Sequence, residues 1–374
     1  MIIHPPEINE DGAWTRLSAR VVAESSRLEL PDQLWFAFSR EVRPHLSERA
    51  EGFAAACLPL AMALGEPIEI RGPLSPRLAF GIREYQRVLH AWYPQLLHLV
   101  EVSPSAYAVA PGSGTGGNVG TAFSGGVDSF FTLWQHLPAN EPIPGFRLAH
   151  ALFVHGFDIP LADEATFPEA CASYGPMLDR AGIRLVPAKT NARAFVQSIS
   201  WDIAHGAALI GTALCLGQLF RRFYVPASMT PTITMYWGSD YRLDHHLSTE
   251  ATEILHDGAG FTRVEKTETI ARWPETYDRL RVCWARPRAL ANCCRCPKCI
   301  RTMLTLDLAG ALPKYSTFPA PLDRGQVRRT RIRALDRHHI QWVLDRAQEL
   351  GRRDVVADLR RARARSRLLD LLGR

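Results

Sequence analysis

At 374 residues, with 47% hydrophobic and 22% charged residues, the chain has enough apolar material for one large core or two moderate ones, which excludes disorder over most of its length. Its formal charge of +6 is unevenly spread, because residues 323–374 hold 15 arginines against 7 acidic residues and residues 1–322 carry −2. Met1–Pro6 has no charged segment leading into an apolar one, and the longest largely apolar stretch, Ala207 to Phe220, is 14 residues, so no signal peptide and no membrane span are expected and the location expected is cytoplasmic.

Residues 1–111 read as an accessory α+β domain. Leu28 to Phe38 is strand-like on either side of Pro31, and Ser47 to Leu64 places Phe53, Ala54, Cys57, Leu58, Ala61 and Met62 on one helical face. Ile68–Ile70 alternates like a short strand, Leu78 to Trp92 reads as a helix, and His98 to Ala110 as a strand. Residues 112–118 are glycine-rich, and with no helix after them they read as a linker.

From residue 119 to about 310, strands and helices alternate, the pattern of a parallel sheet with crossover helices on both faces. The strands expected are Val119–Phe123, Ala149–His155, Ile183–Pro187 and Arg222–Pro226. The helices expected are one after Ser129, one over Glu164–Ala181 interrupted by Pro168 and Gly175, and one over His205–Phe220. The fold class is therefore α/β, with an α+β N-terminal domain and a helical C-terminal tail over 323–374. In such sheets ligands lie at the carboxyl ends of the strands, which puts Ser124–Ser129, His155–Asp158 and the segment after Val186 on one rim.

Ser124-Gly125-Gly126-Val127-Asp128-Ser129 joins the first of these strands to its helix. Glycines let backbone amides approach an anion, the helix N-terminus favours negative charge, and Ser124 and Ser129 add hydroxyl donors. Asp128 suits a Mg²⁺ ion that offsets phosphate charge. The plainer alternative is an ordinary Ser/Gly turn before a helix. Five of the eight cysteines fall between Cys283 and Cys299. Cys283, Cys293, Cys296 and Cys299 supply four thiolates suited to tetrahedral zinc, with Cys294 left over; a redox dithiol or an iron–sulfur cluster is the competing reading. Cys57, Cys171 and Cys215 lie in apolar patterns and read as small buried hydrophobes. Between the tail's charges, Leu335, Ile340, Val343, Leu344, Ala347 and Leu350 recur at helical spacing, so a solvated helix face is a stronger reading of the tail than a nucleic-acid-binding one.

The loop matches the SGGxDS signature of the PP-loop superfamily, the N-type ATP pyrophosphatases with an adenine nucleotide alpha hydrolase-like fold. With the downstream cysteines and Arg301, residues 119–308 resemble the 7-cyano-7-deazaguanine synthases (QueC-like enzymes). That resemblance implies ATP and Mg²⁺ at Ser124, Gly125, Gly126, Val127, Asp128 and Ser129, and a structural Zn²⁺ on the four cysteines. It implies cleavage of ATP between the α- and β-phosphates, adenylation of a carboxylate or carbonyl oxygen, and displacement of AMP by nitrogen. Asp128 and Lys266 are then the catalytic candidates, Lys266 resembling a lysine that related enzymes aim at the phosphates. His155 reads equally as a nucleotide contact or a satisfied rim histidine, and the polar, turn-rich Trp237–Asp244 equally as a segment that closes over the site or an ordinary surface loop. The chain departs from the family in a nine-residue first cysteine gap, in Cys294 where glycine is common, and in its added terminal regions. A small molecule or modified base is the expected substrate, a protein acceptor and a homodimer being open and no membrane being expected. A sulfur-transferring relative and a nucleotide-binding regulatory or nucleic-acid-binding module are the alternatives.

Overall fold

Strands in the middle of this chain send alternate side chains into two different apolar cores, and that alternation decides where the helices lie. The computed structural model describes residues 1–24, 30–111, 117–283, 285 and 290–371, so most of the predicted linker and the start of the strand expected at Leu28 lie outside the described residues. In chain order the first part contains β1 (Ile2–Ile3), β2 (Glu7–Asp11), β3 (Trp14–Val22), β4 (Gln33–Ser39), α1 (Glu51–Leu64), β5 (Ile68–Leu74), α2 (Pro76–Trp92) and β6 (Val102–Tyr107). The second contains β7 (Asn118–Ala122), α3 (Val127–Gln135), β8 (His150–His155), α4 (Thr166–Arg180), β9 (Arg184–Thr190), α5 (Ala192–Phe195), α6 (Trp201–Leu214), β10 (Phe220–Pro226), β11 (Glu253–Asp257), α7 (Arg263–Ile270) and α8 (Pro297–Leu308). The last contains α9 (Arg324–Arg329), α10 (Arg337–Glu349) and α11 (Arg353–Leu371).

The fold is α/β, with a mostly parallel sheet flanked by helices. Strands β11, β10, β7, β8 and β9 are neighbours in that order and all parallel. Strand β9 then pairs antiparallel with β4, through Phe36 with Thr190 and Phe38 with Ala188, so the N-terminal strands continue the same sheet. Strand β7 lies between β8 and β10: the chain leaves it toward β8 and β9, then returns on its other side as β10 and β11. This reversal opens a crevice at the carboxyl end of β7.

On β8, Ala151 and Phe153 enter one core while Leu152 and Val154 enter the other. The first core holds Phe130 and Phe131 of α3 with Phe167 and Tyr174 of α4. The second holds Phe53 and Leu58 of α1 with Ala207 and Ile210 of α6, so a helix from residues 1–111 shares a core with the parallel sheet. A third core gathers Val264 of α7, Ile300 and Leu304 of α8, and Ile340, Val343 and Leu344 of α10.

Helix α4 runs unbroken through Pro168 and Gly175. Pro168 stands in the first turn, where its missing N–H has no intrahelical acceptor to lose, and burial of Phe167, Ala170, Tyr174, Met177 and Leu178 holds the rest of the helix. The helix expected over His205–Phe220 instead spans Trp201–Leu214, and Phe220 already belongs to β10. Cys57 and Cys215 are buried and Cys171 is half-buried, all as free thiols.

Candidate functional site

The turn after β7 is closed by its own side chains. The Ser124 N–H donates to Ser129 Oγ at 3.3 Å, the Gly126 N–H to Ser124 Oγ at 3.3 Å, and the Ser129 hydroxyl to the Gly126 carbonyl at 3.1 Å. Gly125 has φ +74°, and a Cβ there would run into the buried Tyr174 ring and hydroxyl. The Arg281 N–H donates to the Gly125 carbonyl at 2.8 Å and ties the far side of the turn to the segment after α7. Helix α3 begins at Val127, so the first-turn amides face the crevice without intrahelical acceptors.

Asp128 is in that first turn. Its Oδ2 accepts from the Arg263 guanidinium and from the Ser228 hydroxyl, the latter at 3.2 Å. Its Oδ1 is buried without a hydrogen-bond partner among the described residues, 3.9 Å from Lys266 Nζ. Arg263 and Lys266 both belong to α7. The capping box between Thr262 and Glu265 starts the helix at Arg263. Lys266 is 1% exposed and donates to the Ala227 carbonyl, at the end of β10, at 2.6 Å. Burial holds its pKa below the ordinary value, opposed chiefly by Asp128.

Helix α8 adds two further cations. Burial pushes Lys298 down to about 7, with Asp158, from the loop after β8, opposing the shift and Arg263 and Arg301 reinforcing it. Arg301 is pushed down to about 10 by burial and then by the nearby Arg263 charge; its Nε and that of Arg263 are buried without partners among the described residues. Arg263, Lys266, Lys298 and Arg301 thus crowd against Asp128 and Asp158, with Asp336 on the far side of Arg301. Such cations repel in a low-dielectric interior, and a multiply charged anion is their natural complement. In the sequence Lys298 gave no signal at all, and Arg301 was noticed only for its nearness to the cysteines.

The sulfurs of Cys283, Cys293, Cys296 and Cys299 all lie within 4.8 Å of one another. The Cys293–Cys299 separation is 3.8 Å and the Cys296–Cys299 separation 3.4 Å. Tetrahedral zinc with Zn–S of about 2.3 Å needs sulfurs about 3.8 Å apart, so the cluster fits a metal such as zinc. Backbone amides point at these sulfurs, Cys293 N–H to Cys283 at 3.4 Å and Cys296 N–H to Cys293 at 3.3 Å, the donor pattern that stabilises thiolates. Cys294 lies outside the cluster, buried, at φ +57°, the left-handed region that favours glycine. Cys296 is the N-cap of α8, which therefore begins at the cluster and carries Lys298 and Arg301 toward the loop.

His155 ends β8 with its ring stacked on Phe167 at 4.7 Å; its Nε2 donates to the Pro160 carbonyl at 2.7 Å, and Nδ1 is buried without a partner among the described residues. The segment Trp237–Asp244 is pinned from two sides: the Gly238 N–H donates to the Asp202 carbonyl at 2.7 Å, and Asp244 accepts from Ser239 and pairs with His256. Among the described residues, no helix is long and apolar enough to cross a membrane. Comparison of the chain with protein-family models, with curated proteins and with solved structures finds no match.

Proposed function

We propose that the chain is an ATP-dependent synthetase of the PP-loop kind, with an adenine nucleotide alpha hydrolase-like domain, that adenylates a carboxylate or carbonyl oxygen and then forms a carbon–nitrogen bond. The observation that carries this reading is the Ser124–Ser129 loop at the sheet's reversal point, faced by Arg263 and Lys266 around Asp128. The SGGxDS wording supports the reaction type over a generic phosphate turn.

In this reading the loop amides and hydroxyls grip the β- and γ-phosphates. Asp128, through its unpartnered Oδ1, would hold a Mg²⁺ ion, which would supply charge neutralisation at the phosphates. The acceptor oxygen attacks the α-phosphorus, and the bond from that phosphorus to the bridging oxygen breaks with its electron pair on pyrophosphate. Lys266 and Arg263 stabilise that developing charge. Ammonia then adds to the acyl carbon of the adenylate, loses a proton, and AMP departs with the carbon–oxygen bond pair. Cys283, Cys293, Cys296 and Cys299 would hold a structural zinc that fixes the start of α8.

An ¹⁸O-labelled carboxylate acceptor, with 7-carboxy-7-deazaguanine first in the panel, tests the adenylation step. The label is expected in the phosphate of AMP; release of AMP without label overturns direct attack by the acceptor oxygen.

A further inference from the structure

The basic C-terminal segment brings polar groups beside the Arg301 end of the cation cluster. Helix α10 is mounted there by the core it shares with α7 and α8, through Val343 and Leu344 against Val264, Ile300 and Leu304. Just ahead of α10, Asp336 pairs with Arg301 at 2.7 Å. Two residues on, the rings of His338 and His339 lie 3.9 Å apart, each beside Trp342. His339 is 4% exposed, with Nδ1 buried and unpartnered among the described residues; His338 Nε2 is likewise buried and unpartnered. These orphan nitrogens stand near Arg263 and Arg301, whose own Nε atoms are unpartnered. Arg301 is tied beside this turn by its pair with Asp336, α7 and α8 share a core with α10, and polar groups on all three helices are left without partners among the described residues, which is costly unless a polar ligand serves them.

We propose that α7, α8 and α10 form a second side of the oxyanion site, facing the loop, in which a pyrophosphate-type group is also held between the guanidiniums of Arg263 and Arg301 and the imidazoles of His338 and His339. The C-terminal segment is then a wall of the ligand chamber. The subsite rests on the proposed synthetase reading only in taking its anion to be the pyrophosphate end of ATP. Burial, followed by the Arg301 and Arg263 charges, pushes His338 down to about 4 and depresses His339 further, His338 and Lys298 adding to the latter. Both rings are therefore neutral at pH 7, each offering one N–H and one lone pair, and an anion that offsets the two guanidiniums raises their proton affinity.

Titration calorimetry of inorganic pyrophosphate into the zinc-loaded full chain at pH 7 tests the subsite. H338Q is expected to weaken binding about fivefold, the loss of one hydrogen bond, with an unchanged melting temperature. The double variant R360Q/R367Q, which removes two exposed charges from α11, is expected to bind like wild type. Wild-type affinity in both H338Q and H339Q overturns the subsite, as does an equal loss in R360Q/R367Q, which marks a diffuse charge effect. Wild type that cleaves ATP to AMP yet does not bind pyrophosphate also overturns it while leaving the synthetase reading intact. Pyrophosphate binding that depends on His338, in a chain that never forms AMP, upholds the subsite and removes the synthetase reading.

Discussion

The Arg301 guanidinium, two residues beyond Cys299, donates to Asp336 Oδ1 at 2.7 Å, so the cysteine-bearing helix and the C-terminal helices are joined by one buried ion pair. The two side chains are only 7% and 14% exposed. Removing one partner strands the other charge, so D336A is expected to destabilise the fold by about 3 kcal/mol, measured by urea denaturation. D336N, which keeps a hydrogen-bond acceptor, is expected to cost less.

Metal removal should act through α8. Chelation, or C296S or C299S, is expected to release the metal, lower the melting temperature, and weaken ATP binding in the same step, because Cys296 caps the helix that positions Lys298 and Arg301. C294S and C294G are expected to retain one metal per chain by elemental analysis, since Cys294 is outside the cluster and already has glycine-like backbone angles.

Two glycines are expected to respond very differently. G125A forces a side chain into left-handed backbone and into Tyr174, costing about 2 kcal/mol or more and abolishing nucleotide binding. Gly175 has open space around it but precedes Pro176 within α4, where a Cβ on the residue before proline disfavours helical backbone, so G175A is expected to leave nucleotide binding intact and to gain none of the usual helix stabilisation. Paired denaturation curves check both.

Acid should destabilise the protein earlier than carboxylate titration requires. His150 and His338 are pushed from the ordinary 6.5 to about 4, His150 by burial and then by Arg184, so the unfolded chain binds these protons first. The stability they contribute is whole above pH 6.5 and is lost progressively as pH falls toward 4. Urea midpoints measured across that window are expected to fall with pH, and less steeply in H338Q.

Much of the parallel sheet was legible because its strands are nearly continuous apolar runs: Ala149–His155 and Arg222–Pro226 coincide with β8 and β10 to within two residues. Strand β3 went unread although Thr15, Leu17, Ala19 and Val21 alternate inward, because threonine and alanine give the alternation little hydrophobic contrast. Strand β11 was hidden by His256 and Asp257, polar residues whose partners, Asp244 for one and Thr132 and His136 for the other, are distant in sequence. The loop and the four cysteines were legible from spacing alone. The cation cluster was not, since Arg263, Lys298 and Arg301 are brought together only when α7 and α8 are folded against the loop. Pro168 misled for a local reason: its place in the helix depends on where the helix starts.

The most direct test of the central claim follows the phosphates of ATP by ³¹P NMR in the zinc-loaded chain with Mg²⁺, ammonia and a panel of carboxylate acceptors. The account predicts AMP and pyrophosphate in equal amounts, dependent on acceptor and lost in D128N. ADP and orthophosphate, or AMP formation undiminished in D128N, would contradict it.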